Sequence, residues 1–394
     1  MGTRAVRTAL SAAVLVAAVL VPAAGASSTH RVKLSLVPLP KSALGASAKS
    51  LALTHDSGVV SNVQAASNSS SGTTGTFKGL GRVTGYDLTY GDPFTGGSGV
   101  TQIASGLEQY KTAAGAKKGL AFWRKDDAQI TSLQQYGIGV TLKAVKVPAI
   151  GTGRFGYGTT LTFPNLAPMA GVDEQVADGK YVLHVSVSGG SLSGASHLAS
   201  KLLRALDQRL QLAEKGRLRG KPVKLLPPLK AGPPAGGPDL STLAITAADL
   251  TGASTLGDHG YGVDPEALSA YLLDMRPAGQ FDGLTQEIEW YATANEATVI
   301  TELEQAIVAS EFELLLGATP NVTPVDLSAV GDNARGQILL FSVNGQSLYI
   351  GMAGLARGQA SDFVLVTRAS PLQASDVQSL AQAAAAHLDA GVTG

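Results

Sequence analysis

Thr84-Gly-Tyr-Asp-Leu-Thr-Tyr90 has a counterpart in Ser269-Ala-Tyr-Leu-Leu-Asp-Met275. Outward from that pair, Val100-Thr-Gln102 and Leu107-Glu-Gln-Tyr110 match Leu284-Thr-Gln286 and Ile288-Glu-Trp-Tyr291. Pro148-Ala-Ile-Gly151 then matches Ser328-Ala-Val-Gly331, and Lys180-Tyr-Val-Leu183 matches Asp362-Phe-Val-Leu365. The offsets of Tyr86/Tyr271, Tyr110/Tyr291, Gly151/Gly331 and Tyr181/Phe363 are 185, 181, 180 and 182. Each match is short, but a near-constant spacing over four landmarks is the mark of a duplicated domain. The chain therefore reads as one fold used twice.

Composition sets the boundaries. Arg4 and Arg7 precede an uncharged run from Thr8 to Val21 and then Ala24-Gly25-Ala26, the layout of a secretory signal peptide over residues 1–26. That run falls short of the roughly 20 apolar residues needed to span a bilayer, so an extracytoplasmic chain of the cell envelope or the medium is expected. Residues 27–76 are rich in Ser, Ala and Gly, and are expected to form a disordered leader. Residues 216–239 contain Pro222, Pro227, Pro228, Pro233, Pro234 and Pro238, and proline at that density suits an extended linker. This leaves a first repeat at 77–215 and a second at 240–394. The absence of cysteine excludes disulfides, thiolate metal sites and a Cys nucleophile.

Within the first repeat Ile103, Leu107, Tyr110 and Ala114 fall at helical spacing. Leu133 to Val147, Thr159 to Phe163 and Tyr181 to Val187 read as strands. Ala195 to Leu212 reads as a closing helix burying Leu198, Leu202, Leu206 and Leu210. In the second repeat Ser375 is the expected N-cap of a closing helix with Val377, Leu380, Ala384 and Leu388 as its apolar stripe. The expected class is α+β: two similar domains, each a mainly antiparallel sheet covered by helices.

The glycine after an apolar strand (Ala149-Ile-Gly151, Ala329-Val-Gly331), the aromatic-Val strand (Tyr181-Val182, Phe363-Val364) and the Ala/Leu-rich closing helix resemble the Mog1/PsbP-like α/β sandwiches. Among them the chain is most similar to actinobacterial LpqN-type envelope proteins and kinase sensor ectodomains. It departs from the first in lacking a lipobox cysteine and from the second in lacking disulfides. The resemblance implies a non-catalytic binding or adaptor domain of the cell envelope and carries no functional residue with it.

The formal net charge of zero hides an asymmetry. Ser27 to Lys230 holds 24 Lys/Arg against 11 Asp/Glu, whereas Ala231 to Gly394 holds 4 against 19. Lys201, Arg204, Arg209, Lys215, Arg217, Arg219, Lys221, Lys224 and Lys230 form a basic run, interleaved near its end with Leu225, Leu226 and Leu229. Such a run suits an anionic lipid surface or a phosphate-bearing wall polymer. The opposite charges also suit a contact between the repeats, within one chain or head to tail. The export signal argues against nucleic acid as a partner.

No catalytic signature emerges. Gly151-Thr-Gly153-Arg-Phe-Gly156 satisfies G-x-G-x-x-G, but a strand rather than a helix follows, so it is read as a hairpin turn and not a nucleotide loop. The six histidines show no zinc spacing, and His184 and His387 are read as structural. Asp258-His-Gly-Tyr-Gly262 is read as a turn between strands. Gly189-Gly-Ser-Leu-Ser-Gly194 is not G-x-S-x-G. The acidic stretch from Thr285 to Leu316 is expected to be helical, with a solvated face or a docking face for the basic half. No cofactor or metal is expected. The reading is a secreted binding protein, with a hydrolase site assembled between the repeats as the alternative.

Overall fold

The computed structural model describes residues 32–69, 71–91, 99–136, 138–162, 167–251, 254–264, 267–277, 281–331, 333–343 and 346–392. The expected signal peptide at 1–26 lies outside them. The first sheet comprises β1 (Gly58–Val60), β2 (Arg82–Gly91), β3 (Val100–Tyr110), β4 (Gly139–Ala144), β5 (Gly153–Thr162), β6 (Met169–Asp178) and β7 (Tyr181–Gly189), in the spatial order β1-β2-β3-β7-β6-β5-β4. Its helices are α1 (Asn62–Ser67), α2 (Thr74–Gly79), α3 (Ala113–Asp127) and α4 (Leu192–Glu214). The second sheet comprises β8 (Ser254–Gly262), β9 (Ser269–Pro277), β10 (Gly283–Trp290), β11 (Asn321–Val325), β12 (Ala334–Val343), β13 (Gln346–Arg357) and β14 (Ala360–Arg368). Helix α5 (Ala294–Leu316) follows β10 and α6 (Ala374–Val392) closes the chain. Read from β8, the second sheet runs β8-β9-β10-β14-β13-β12-β11, the first sheet's order strand for strand. Both sheets are antiparallel throughout.

Alternation along the central strands puts a helix on each face, giving a three-layer sandwich. Val182 joins Tyr110, Ala116, Leu120 and Phe155 under α3, while Leu183, Val185 and Val187 join Leu202, Leu203, Leu206 and Leu210 under α4. Each fully buried leucine stabilises by about 1.5–3 kcal/mol. Helix α4 begins where Ser191 Oγ accepts from Gly194 N, and it ends at Gly216, whose φ of +65° lets Arg217 and Leu218 donate back to Leu212. In the second repeat Phe363 faces α5 and Val364 faces α6.

Several expectations are corrected. Ile103, Leu107 and Tyr110 lie in β3, not in a helix, because a spacing of four also satisfies the two-residue period of a strand. The strand expected from Leu133 to Val147 is shorter, Gly139–Ala144, and residues 133–136 belong to a 3₁₀ segment that starts at Ala128. The stretch from Thr285 to Leu316 is split, with β10 ending at Trp290 and α5 starting at Ala294. Ser375 lies inside α6 and is not its N-cap. The segment at 258–262 belongs to β8, an edge strand with an irregular register, and is not a turn.

The leader is corrected most. Val37, Leu39, Leu44, Ala48 and Leu51 are buried in the core under α4, and β1 extends the sheet. Leu39 N donates to Ser105 Oγ at 3.0 Å, and in the second repeat Ile245 N donates to Gln286 Oε1 at 2.8 Å. Ser105 and Gln286 are equivalent, so the segment around Leu39 is the first repeat's version of the segment around Ile245. The first repeat therefore begins near Val32, well before Phe77.

Two of the sequence matches are also adjusted: Gln286 is the counterpart of Ser105 and not of Gln102. Gly179 and Gly358, with φ of 53° and 54°, occupy the same two-residue turn, which places Tyr181 against Ala360 and not Phe363.

The linker is extended and docked. Leu218 and Val223 pack on the first core, and Gly232 O accepts from Ser269 Oγ at 2.7 Å in the second repeat. Between the repeats, Ile138, Val140 and Leu161 share an apolar cluster with Val299, Leu303, Ala306 and Ile307 of α5. The described ion pairs each join residues of one repeat.

Candidate functional site

The first repeat contains a cavity of about 1280 Å³ between the N-terminal half of α4, the 145–149 connection and β5. Helix α4 lays one polar stripe along it: Ser193, Ser196, His197, Ser200 and Arg204, at i, i+3, i+4, i+7 and i+11. Lys146 comes from the connection and Arg154 from β5. All four cationic or imidazole side chains, Lys146, Arg154, His197 and Arg204, are exposed at the rim. The apolar wall is formed by Val145, Val147, Pro148, Ala149 and Leu192, and it continues into the core under α4.

Two glycines of β5 make this arrangement possible. A Cβ on Gly156 would lie 2.7 Å from Val147 and 2.9 Å from Val145, and one on Gly158 would lie 2.8 Å from Leu192. Bare backbone at these positions lets the connection and the start of α4 settle against the strand. Gly151, at φ +63°, turns the chain into β5, where a Cβ would collide with the Ala177 carbonyl. The G-x-G-x-x-G glycines thus serve a wide hairpin between β4 and β5 and a close approach, as the turn reading expects.

Behind the wall sits Glu174, fully buried, whose Oε1 accepts from Ser200 Oγ at 2.7 Å and whose Oε2 has no partner among the described residues. Desolvation raises its carboxyl to about 7, helped by Asp173 and opposed by the Ser200 hydroxyl and the Arg204 charge. A carboxyl that titrates near neutrality is therefore tied, through Ser200, to the wall of the pocket.

The second repeat has the same construction but a different filling. Lys146 corresponds to Asp326, Ser196 to Gln378, Arg154 to Ala334 and Arg204 to Ala386. Gln378 Nε2 donates to Asp326 O at 2.9 Å, tying helix to connection where the first repeat is open.

Of the nine basic residues singled out from the sequence, Arg204 lines the pocket. Arg209 is diverted to structure: Nε donates to Val37 O at 2.8 Å and Nη2 to Leu36 O, clamping the leader. Lys201, Lys215, Arg217, Arg219, Lys221, Lys224 and Lys230 are exposed along α4 and the linker, beside exposed Leu225 and Leu226. Sequence reasoning missed Lys146, Arg154 and His197: the first two flank the turn into β5, and His197 lies more than 40 positions further on, in α4. The Ser/His/Arg periodicity of α4 was the one available signal.

The other constellations are internal. His184 Nε2 lies 3.3 Å from Asp87 Oδ1; burial works against its charge, but Asp87 and Asp173 raise its imidazole to about 9. His387 Nε2 lies 2.9 Å from Asp249 Oδ2. The acidic stretch is not a solvated face, since Glu287, Glu289, Glu296 and Glu304 are buried. Burial and mutual repulsion hold the carboxyls of Glu289 and Glu304 well above their usual range, and burial with Asp264 raises Glu287 to about 8. Among the described residues no group of three or more His, Asp or Glu is placed to hold a metal, and no helix is long and apolar enough to cross a membrane.

No family model and no curated protein matches the chain. Among solved structures, the extracellular domain of PknH from Mycobacterium tuberculosis is similar at 16% identity and TM-score 0.30, covering 45% of this chain and 95% of that one. The di-domain ARO/CYC BexL from the BE-7585A biosynthetic pathway is similar at 8% identity and TM-score 0.16, covering 78% of this chain and 85% of that one. At these values neither likeness bears on function.

Proposed function

We propose that this is an extracytoplasmic, non-catalytic binding protein whose first repeat holds an anionic ligand between α4 and the 145–149 connection, while the second repeat is a closed structural copy. The observation that carries the reading is the convergence of Lys146, Arg154, His197 and Arg204 on one cavity whose equivalent positions in the second repeat hold Asp326, Ala334, Ser379 and Ala386. Cationic side chains at a partly enclosed rim concentrate anions and attract them more strongly than the same charges in open water. The signal-like first 26 residues support the compartment. The apolar cluster shared by the repeats contains none of the residues that line the pocket.

A binding test uses isothermal calorimetry with inorganic phosphate and with short-chain anionic lipids on the full-length chain. Saturable binding that weakens at least ten-fold in Arg154→Ala supports the reading, and equal binding by wild type and variant refutes it.

His197 shares the pocket with three serines, which favours hydrolysis as a second reading. Against it, the Ser200 hydroxyl donates to Glu174, and no described hydrogen bond joins His197 to Ser193 or Ser196. A nucleophilic serine requires a base within about 2.6–3.2 Å. Stoichiometric labelling of one of these serines by a fluorophosphonate would establish the hydrolase.

A further inference from the structure

Resting on the reading that this pocket binds an anion, we propose that its ligand is a phosphorylated amphiphile, with a phosphate ester between Lys146, Arg154 and Arg204 and an apolar arm along Val145, Val147, Pro148 and Leu192. Three arguments lead there. The first is the number of donors. A carboxylate offers about four lone-pair sites, whereas two guanidinium forks, one ammonium and the hydroxyls of α4 present many more donors than that. Phosphate, with more oxygens and a geometry suited to guanidinium forks, matches the surplus.

The second is shape. The pocket is an open groove of about 1280 Å³, and a free phosphate leaves most of it unfilled. The remainder is bounded by side chains that belong to the hydrophobic core, with Val147 buried and Val145 and Leu192 packed on it. Water in that part of the pocket has few polar partners, so displacing it with an apolar arm is favourable at about 25 cal/mol per Å².

The third is Glu174. Its buried carboxyl is bonded through Ser200, a wall residue, and among the described residues one of its oxygens has no partner. When protonated it leaves the cationic rim unopposed. Once ionised it places a negative charge behind the phosphate site, repelled by Asp173 on its own strand and attracted by Arg204 on α4. Affinity should therefore fall as pH rises through about 7.

The experiment titrates the full-length chain with inorganic phosphate, hexanoate and dihexanoyl phosphatidic acid, followed by calorimetry and by chemical-shift changes. Dihexanoyl phosphatidic acid should bind at least ten-fold more tightly than either fragment. Leu192→Ser should weaken the lipid five-fold or more and leave phosphate unchanged. The double variant Lys146→Asp with Ser196→Gln, which copies the closure of the second repeat, should lose lipid binding with an unchanged melting temperature. If that variant misfolds, Arg154→Ala at the exposed rim carries the same test. Phosphate binding as tight as the lipid, and indifferent to Leu192→Ser, overturns the amphiphile but leaves the anion reading. No binding of any probe overturns both, and full lipid binding by a folded double variant removes the ligand from this pocket.

Discussion

Glu108 and Glu289 occupy the same place in the two repeats, each four residues before the threonine that caps the following helix, yet their surroundings are opposite. Glu108 receives Arg82 Nε at 2.7 Å, Trp123 Nε1 at 2.8 Å and the Tyr110 hydroxyl at 2.6 Å. In the second repeat Arg82 becomes Ala267 and Trp123 becomes Glu304, and among the described residues Glu289 receives the Tyr291 hydroxyl alone. One repeat stabilises its buried carboxylate with a counter-charge. The other keeps its carboxyls protonated. The difference teaches that a duplicated sheet and helix frame fixes where a polar group sits but not how its charge is satisfied.

The largest test of that contrast is Arg82→Ala, which gives the first repeat the second repeat's residue without its protons. Removing one partner of a buried pair costs about 3–5 kcal/mol, and adding Glu108→Gln should recover a good part of the loss. Urea unfolding measures both. A cost below about 1 kcal/mol for the single variant would show that Trp123 and Tyr110 suffice.

Next in size is pH. Carboxyls whose folded values are raised bind more protons folded than unfolded. Their contribution is full below the unfolded value of about 4.3 and is lost as pH rises through the folded value, about 8 for Glu287 and Asp362. His184, raised to about 9, loses its contribution in the same direction. The melting temperature should therefore fall between pH 5 and pH 9. Glu304→Gln should restore on the order of 2 kcal/mol at pH 8 and little at pH 5, by relieving repulsion among Glu287, Asp264 and Asp362. A melting temperature that rises with pH over this range contradicts the protonated cluster.

A smaller effect separates the two landmark glycines. Both have positive φ, but a Cβ on Gly151 meets the fixed Ala177 carbonyl, whereas one on Gly331 meets the Arg357 guanidinium at 2.9 Å, which can swing aside. Gly151→Ala should cost about 1–3 kcal/mol and Gly331→Ala clearly less. Equal costs would mean that φ, and not the neighbour, sets the penalty. Smallest is Gln378→Ser, which removes an exposed side-chain tie to Asp326 and should change stability by less than about 0.5 kcal/mol. If it instead lowers the melting temperature by several degrees, the closure of the second repeat is structural and not merely a filled space.

Much of the architecture was legible because it is written in local pattern. The alternation of Tyr181 to Val187, the leucines of α4 and the spacing of Gly151 and Gly331 each reflect one element or one turn. The helix assigned to Ile103 through Ala114 failed where two periods coincide, since Ile103 and Leu107 fit both; Tyr110 and Ala114, each an odd number of residues from Leu107, do not share their face of β3. The leader failed for another reason. Val37, Leu39, Leu44 and Leu51 are too sparse to show a period, and they are ordered by a sheet and a helix whose residues lie up to about 170 positions away, as Arg209 on Val37 O shows.

By itself the sequence determined that the fold is doubled, that its layers are sheet and helix, and that charge is divided between the halves, because periodicity, proline density and residue counts act along the chain. The tertiary structure decided which charges act together. Arg204 and Arg209 are five residues apart on one helix, yet one opens onto a pocket with Lys146 and Arg154 while the other is clamped to the backbone of the leader. Glu289 and Glu304 stand on different elements and share one buried proton-holding cluster. Electrostatic interactions fall off with distance through space and grow with burial, and neither quantity is a property of position along the chain.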